Sequence, residues 1–161
     1  MRAVRYLTLA AACLAGVLWT GTASAVIVPQ RSIAGIELNM TRSEVRAAKG
    51  DPRRVEHGTN EFGRYTIFWY GPRLRVTFQG NAGATAVFTK RPGQYTAEGI
   101  HVGSTEAELR AAYPNARCRT EASDFRHCWT GRFQPGRRVT DYRIGLATGL
   151  VKSVLVGFVI D

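Results

Sequence analysis

The sequence predicts an α+β fold of two tandem repeats, in which each repeat packs a short helix (or helix–loop–helix) on a three- to four-stranded antiparallel meander. Two observations carry this prediction. A sixteen-residue stretch occurs twice, at residues 35–50 and 99–114, with seven identical positions. Each copy is followed by segments of β-branched and aromatic residues that alternate with polar ones, which is typical of strands with one wet face.

Each copy of the repeated stretch carries a signal for the start of a helix. Thr41 and Thr105 are each followed three residues later by a glutamate, which fits the capping box. We expect the first helix to end at Gly50 and the second near Pro114. Helices of about eight residues do not persist alone in water. The economical solution lays each helix on its own sheet.

The segments after each helix supply the predicted strands. The polar, Gly- and Pro-containing residues 51–63 predict turns, with room for a short helical segment. Residues 26–34 predict a short extended lead-in. Strands are expected in six places: 65–70, 73–79, 84–90, 125–133, 139–146 and 150–160.

Residues 1–25 have the features of a secretory signal peptide. They begin with a positive charge, continue with an apolar run too short for the ~20 residues that span a membrane, and end in Ala-x-Ala. The rest divides into a first repeat with lead-in (26–92), a linker (93–98) and a second repeat (99–161). We expect an exported protein, periplasmic or extracellular, with no transmembrane segment in the mature chain.

The chain is strongly basic. It has 22 Lys and Arg against 12 Asp and Glu, and removal of Arg2 and Arg5 with the signal peptide leaves 20 − 12, or +8. Such a charge favours an anionic partner, either an acidic protein or a polyanionic envelope lipid. The arginines are scattered rather than clustered in a run, so we expect no nucleic acid. An arginine-rich composition without functional meaning is the alternative.

Two cysteines remain after removal of the signal peptide, which takes Cys13 with it. An even count in an exported chain predicts a disulfide between Cys118 and Cys128. A metal site that uses His127 is the alternative, but it lacks a third and fourth ligand at a familiar spacing. We expect no metal and no cofactor.

The sequence carries no pattern that indicates catalysis, and we predict that the protein is not an enzyme. No nucleophile elbow accompanies the three histidines, which are His57, His101 and His127. Glu44 and Glu108 occupy helix-capping positions, which accounts for both residues without a catalytic pair of carboxylates.

The aromatic strand offers two faces. Tyr65, Ile67 and Trp69 lie on one side, and Phe68 and Tyr70 lie on the other. One set must be core, and the other would be exposed on the open face of the sheet unless both are buried. Tyr, Trp and Arg dominate interface hot spots. We therefore predict a partner-binding patch made of Phe68, Tyr70, Arg73, Arg75, Trp129 and Arg143.

Two strings of residues resemble a known family. One comprises Met40, Thr41, Val45, Gly50 and Pro52, and the other comprises Trp69, Tyr70, Leu74, Val76 and Phe78. Together they resemble the repeat of the SmpA/OmlA-like outer-membrane assembly lipoproteins, and two such units in tandem look like the β-lactamase inhibitory protein superfamily. The chain departs from the family by having Asn39 where a glycine is usual and Ser104 where the second copy would have methionine.

The resemblance implies a non-catalytic, inhibitor-like module whose concave sheet grips a protein. Our leading hypothesis is therefore an exported protein-binding module that binds an exported or envelope protein. The alternative is a periplasmic factor for outer-membrane assembly or envelope integrity. A binder of a small ligand or polyanion is a third class, motivated by the charge.

Overall fold

The structure is a computed structural model that describes residues 26–120 and 125–160. The predicted signal peptide, residues 1–25, lies outside the described residues. The described residues contain no helix long and apolar enough to cross a membrane.

Antiparallel strands are the main secondary structure of the described chain. The first half contains β1 (Ile27–Val28), β2 (Ser32–Ile33), β3 (Ile36–Glu37), α1 (Arg42–Lys49), β4 (Arg54–Asn60), β5 (Gly63–Trp69), β6 (Leu74–Gln79) and β7 (Ala84–Thr89). The second half contains α2 (Glu106–Ala112), β8 (Arg117–Thr120), β9 (Phe125–Gly131), β10 (Arg138–Gly145) and β11 (Leu150–Phe158).

Eight strands form one sheet, in the order β4-β5-β6-β7-β11-β10-β9-β8. The prediction of two tandem repeats, each with its own sheet and helix, is wrong, because β7 and β11 pair in the middle of this sheet. In separate sheets both strands would leave a row of unpaired backbone groups at an edge, and their pairing satisfies those groups. The pairing sets Phe88 opposite Leu155 and Val87 opposite Val156.

Besides β3 and β8, the second of which forms where a loop containing Cys118 was expected, two further segments form strands that the sequence does not predict. Residues within 51–63 form β4, which pairs with β5 at one end of the sheet. An edge strand buries little, so its pattern lacks the apolar alternation that would reveal it. At Gly58 a Cβ atom would lie 2.3 Å from the Tyr65 ring, so glycine lets that ring lie across β4. Residues of the lead-in form β1 and β2, which pair with β3 in a small second sheet.

Both predicted helix starts are confirmed. The Thr41 hydroxyl accepts from the Glu44 N–H at 3.2 Å, and the Glu44 carboxylate accepts from the Thr41 N–H at 2.7 Å. Thr105 and Glu108 repeat this arrangement at 3.1 and 2.7 Å. Helix α1 ends at Gly50, whose φ is +76°. Each helix buries a single side chain, Val45 or Leu109, which is too little to cover a sheet alone.

One face of the large sheet is therefore covered jointly. The small sheet contributes Ile27, Ile33 and Ile36, and the helices contribute Val45 and Leu109. These side chains form one core with large residues of the eight-stranded sheet, among them Phe68, Phe78, Tyr142, Ile144 and Val154. Among the described residues, no helix or strand packs on the opposite face, which we call the open face.

Candidate functional site

A single row of directly paired residues crosses the open face from one edge to the other. Residues opposite each other on antiparallel strands point to the same side of the sheet. We call the set the cross-strand row, and its members, in order across the sheet, are Arg54, Trp69, Arg75, Phe88, Leu155, Asp141, Trp129 and Arg117.

Cations and aromatic rings alternate in the first half of this row. The Arg54 guanidinium carbon lies 4.6 Å from the centre of the Trp69 ring. Arg75 lies 5.3 Å from the Trp69 ring and 4.2 Å from the Phe88 ring. The Trp69 indole N–H donates to the Glu56 carboxylate at 3.1 Å, and Glu56 also pairs with Arg54 at 3.0 Å. These contacts favour the stacked orientation of the two guanidinium groups on the Trp69 ring.

In the second half of the row, Trp129 lies between Asp141 and Arg117 and contacts the ring of Phe133. Its ring centre lies 5.1 Å from that of Phe133, which is itself 46% exposed. Asp141, directly opposite Trp129, lies 2.8 Å from the Nδ1 atom of His127. Arg117 ends the row on the short edge strand β8 and is exposed. This half therefore presents aromatic surface beside an exposed cation.

A cavity of about 480 Å³ opens on the same face where the two halves of the sheet meet. Four cationic side chains line it, namely Arg75, Lys90, Arg143 and Lys152. Two aromatic rings, Phe88 and Phe125, and two hydroxyl residues, Thr148 and Ser153, also line it. No aspartate or glutamate is among the described residues of its lining. We call it the basic cavity.

Burial and like charge both act on the cations of the basic cavity. Desolvation lowers the pKa of the Arg75 guanidinium, and the positive charge of Arg143 lowers it further, while Glu56 acts in the opposite direction. Arginine stays charged at neutral pH despite this shift. Two guanidinium groups therefore repel each other across one cavity.

Stacking and a glycine shape the walls of the basic cavity. The Arg143 guanidinium carbon lies 4.4 Å from the centre of the Phe125 ring. At Gly145 a Cβ atom would lie 2.8 Å from the Lys152 side chain and 3.1 Å from the Thr148 hydroxyl. A glycine at this position thus lets the Lys152 side chain lie across the strand end beside Thr148.

Three of the six predicted partner-binding residues lie on the open face. Arg75 and Trp129 belong to the cross-strand row, and Arg143 lies directly opposite His127 on the same face. Arg75 and Arg143 meet in the basic cavity although they come from different halves of the chain.

The other three lie elsewhere. Phe68 is 1% exposed in the core, because the register sets it opposite Val76 on the helix-covered face. The Arg46 guanidinium of α1 covers its ring at 4.5 Å. The open face therefore carries the alternate set of aromatic-strand residues, which are Tyr65, Ile67 and Trp69.

Tyr70 and Arg73 follow the end of β5. The Tyr70 hydroxyl donates to the Gly50 carbonyl at 3.1 Å beside the end of α1, and burial raises the pKa of this phenol. Arg73 is exposed in the turn before β6, where its carbonyl accepts from the Lys90 N–H at 2.8 Å. Neither residue belongs to the cross-strand row.

The six residues predicted from the sequence leave out several cations and aromatic residues of the row and the cavity, namely Arg54, Trp69, Phe88, Lys90, Arg117, Phe125 and Lys152. The signal for Phe88 was present, because Val87 and Phe88 are adjacent apolar residues on one strand and must point to opposite faces. The two lysines gave no such signal, since a lone lysine at a strand end is ordinary surface.

The predicted disulfide is confirmed. Cys118 and Cys128 lie directly opposite each other on β8 and β9 and are bonded. The Glu106 carboxylate lies close to both sulfur atoms. Metal ligation by cysteine needs the thiolate, so this group has no metal-binding chemistry while the disulfide is intact.

No protein-family model and no curated protein match this chain. In structure it is similar to an extracellular protein containing a SCP domain from Bacillus anthracis str. Ames, with a TM-score of 0.56 and 6% sequence identity. The similarity covers 75% of this chain but spans only 44% of that protein's length. At this identity the likeness concerns the fold alone.

Proposed function

We propose that the chain is an exported, non-enzymatic binding protein that holds an acidic partner protein on its open face. The observation that carries the proposal is the cross-strand row, which sets two tryptophans and three arginines in one line across eight strands. Tryptophan and arginine are the residues most enriched in binding hot spots.

The stacked arginines of the row support this role. Two of its three guanidinium groups, those of Arg54 and Arg75, already lie against the Trp69 ring. Ordered side chains lose less conformational entropy when a partner arrives. The partner's chemistry follows from the charge, because the row has three arginines and a single carboxylate, Asp141, which already lies against His127.

The absence of enzymatic activity is part of the proposal. Glu44 and Glu108, the carboxylates at equivalent places in the repeated stretch, both accept backbone N–H groups in helix caps. Their positions are explained by helix stability and need no catalytic role.

Export is proposed on three grounds. The first 25 residues have signal-peptide features. The chain holds an intramolecular disulfide, which persists in oxidising compartments. The structural neighbour is described as extracellular. Fractionation of native cells tests this proposal: recovery from the cytoplasm contradicts it, whereas retention with the outer membrane favours the envelope-assembly alternative over the secreted one.

The binding role is tested with variants outside the basic cavity. The mature protein is immobilised, and exported proteins of the native host are passed over it. We expect Trp129→Ala and Arg117→Gln each to lower retention of the bound acidic protein at least fivefold, and retention to fall as salt screens the charges. Lys49→Gln on α1 removes the same charge from the other side of the sheet and is the control. Equal retention by all variants contradicts the proposal.

A further inference from the structure

The cations of the basic cavity lack the ion pairs that several other arginines form within the described part of the chain. Arg31, Arg46 and Arg110 each lie within 3.3 Å of a carboxylate oxygen. Across residues 26–120 and 125–160, no such ion pair involves Arg75, Lys90, Arg143 or Lys152. Four cations that share one cavity without a bound counter-charge repel one another, and an anion placed among them removes that repulsion.

The cavity is also built for an anion with several acceptor oxygens. Arg75 stacks on Phe88 at 4.2 Å and Arg143 on Phe125 at 4.4 Å. Stacking occupies the face of a guanidinium and leaves its in-plane N–H donors available for oxygen atoms. The ammonium groups of the two lysines add compact charges that need no particular geometry. A phosphate group presents three acceptor oxygens and close to two negative charges at neutral pH, whereas a carboxylate presents two oxygens and one charge.

The remaining walls indicate what the anion is attached to. Phe125 is half-buried and offers apolar surface beside the cations, whereas Phe88 is only 9% exposed. The volume of about 480 Å³ lies within the ordinary range for small-molecule sites and exceeds what an inorganic ion fills. An organic group next to the anion would cover the exposed part of the Phe125 ring and remove apolar surface from water.

We propose that the basic cavity binds the phosphate group of an organic phosphate, with the cations of both halves of the sheet around the phosphate and the organic part against the Phe125 ring. The phosphate site shares Arg75 and Phe88 with the cross-strand row. It is tested separately from the protein-binding role, because it needs no partner protein and its variants, at Arg143 and Lys152, lie outside the row. The phosphate belongs either to a soluble molecule or to a lipid headgroup, because both present the same chemistry.

Calorimetric titration of the mature protein with phenyl phosphate tests the site. We expect phenyl phosphate to bind at least tenfold more tightly than benzoate and more tightly than inorganic phosphate. Arg143→Gln and Lys152→Gln should each weaken phenyl phosphate binding at least tenfold. Lys49→Gln and Arg137→Gln, which remove exposed charges outside the cavity, should leave it unchanged. Affinity should fall between pH 7.5 and 5, as the phosphate, with a second pKa near 6, loses one negative charge.

Sedimentation with vesicles distinguishes the two sources of phosphate. Binding to phosphatidate-containing vesicles that phenyl phosphate displaces, and that Arg143→Gln abolishes, assigns the site to a lipid headgroup. Binding of phenyl phosphate without vesicle binding assigns it to a soluble ligand. Equal affinity for benzoate and phenyl phosphate, equal loss in the control variants, or no binding of phenyl phosphate at millimolar concentration overturns the proposal. None of these outcomes bears on Trp129 and Arg117, which test the protein-binding role.

Discussion

Arg75 lies directly opposite Phe88 on the neighbouring strand, and its guanidinium carbon stands 4.2 Å from the centre of the Phe88 ring. The same group lies 5.3 Å from the ring of Trp69, on the strand to the other side. One arginine on β6 thus links the aromatic rings of its two neighbouring strands, β5 and β7, and it forms part of both the cross-strand row and the basic cavity.

Replacement of Arg75 by lysine should destabilise the protein although the charge is kept. An ammonium group cannot stack on two rings as a planar guanidinium does, so we expect a loss of about 0.5–1 kcal/mol in the free energy of unfolding. Urea denaturation followed by tryptophan fluorescence measures it. Arg73→Lys, in the exposed turn before β6, is the control and should shift stability by less than about 0.5 kcal/mol. Indistinguishable midpoints for the two variants would show that the stacking contributes nothing.

The helix caps should make the free energy of unfolding depend on pH in the acidic range. Hydrogen bonds from the backbone and side chain of Thr41 hold the pKa of Glu44 below its ordinary value of 4.5, and Thr105 does the same for Glu108. Between the lowered pKa and 4.5 the unfolded chain binds more protons than the folded one. Stability therefore rises with pH through this window and falls on acidification.

The double variant Glu44→Gln/Glu108→Gln tests the pH dependence. It should show a shallower loss of stability than the wild type between pH 5 and pH 3, as measured by thermal unfolding at each pH. Each single variant should show an intermediate slope. A double variant with the wild-type slope would mean that other carboxylates account for the acid sensitivity.

The disulfide should contribute substantially to stability. The bond between Cys118 and Cys128 restricts the unfolded chain. The resulting loss of chain entropy stabilises the folded state by about 2–3 kcal/mol. We expect the Cys118→Ala/Cys128→Ala variant to lose that amount in urea denaturation. A reducing agent should lower the stability of the wild type and leave that of the double variant unchanged. If reduction shifts both equally, the bridge is not the source of the effect.

The turn before α1 should tolerate glycine but not valine. Asn39 has a φ of +72°, and Gly103, at the corresponding place before α2, has a φ of +112°. Asparagine and glycine enter this region readily, whereas a β-branched residue does so only with strain. We expect Asn39→Gly to change stability by less than about 0.5 kcal/mol, and Asn39→Val to cost about 1–3 kcal/mol.

Close packing of this turn keeps Asn39 from relaxing. Its N–H donates to the Ala84 carbonyl at 2.9 Å, and a Cβ atom at Gly83 would lie 2.2 Å from the Asn39 carbonyl oxygen. Thermal unfolding of the two Asn39 variants makes the comparison, and equal stability of Gly and Val at this position would show that the backbone rearranges.

Features that depend on a few neighbouring residues were predictable from the chain alone. The caps at Thr41 and Thr105 need only a hydroxyl and a glutamate three residues apart, and both helices begin as predicted. The end of α1 at Gly50 follows from the freedom of glycine at positive φ. The pairing of Cys118 with Cys128 follows from there being two cysteines after the predicted signal peptide.

Features that depend on which strands meet were decided only by the tertiary structure. A period of two divides a strand into two faces but does not say which face is core, and the pairing of Phe68 with Val76 makes that choice. Likewise, the sequence does not say whether the strands of the two halves form two sheets or one. The pairing of β7 with β11 merges them into one sheet, because it satisfies the backbone groups of both strands. That junction brings Arg75 and Arg143 to one cavity, and no spacing along the chain predicts it.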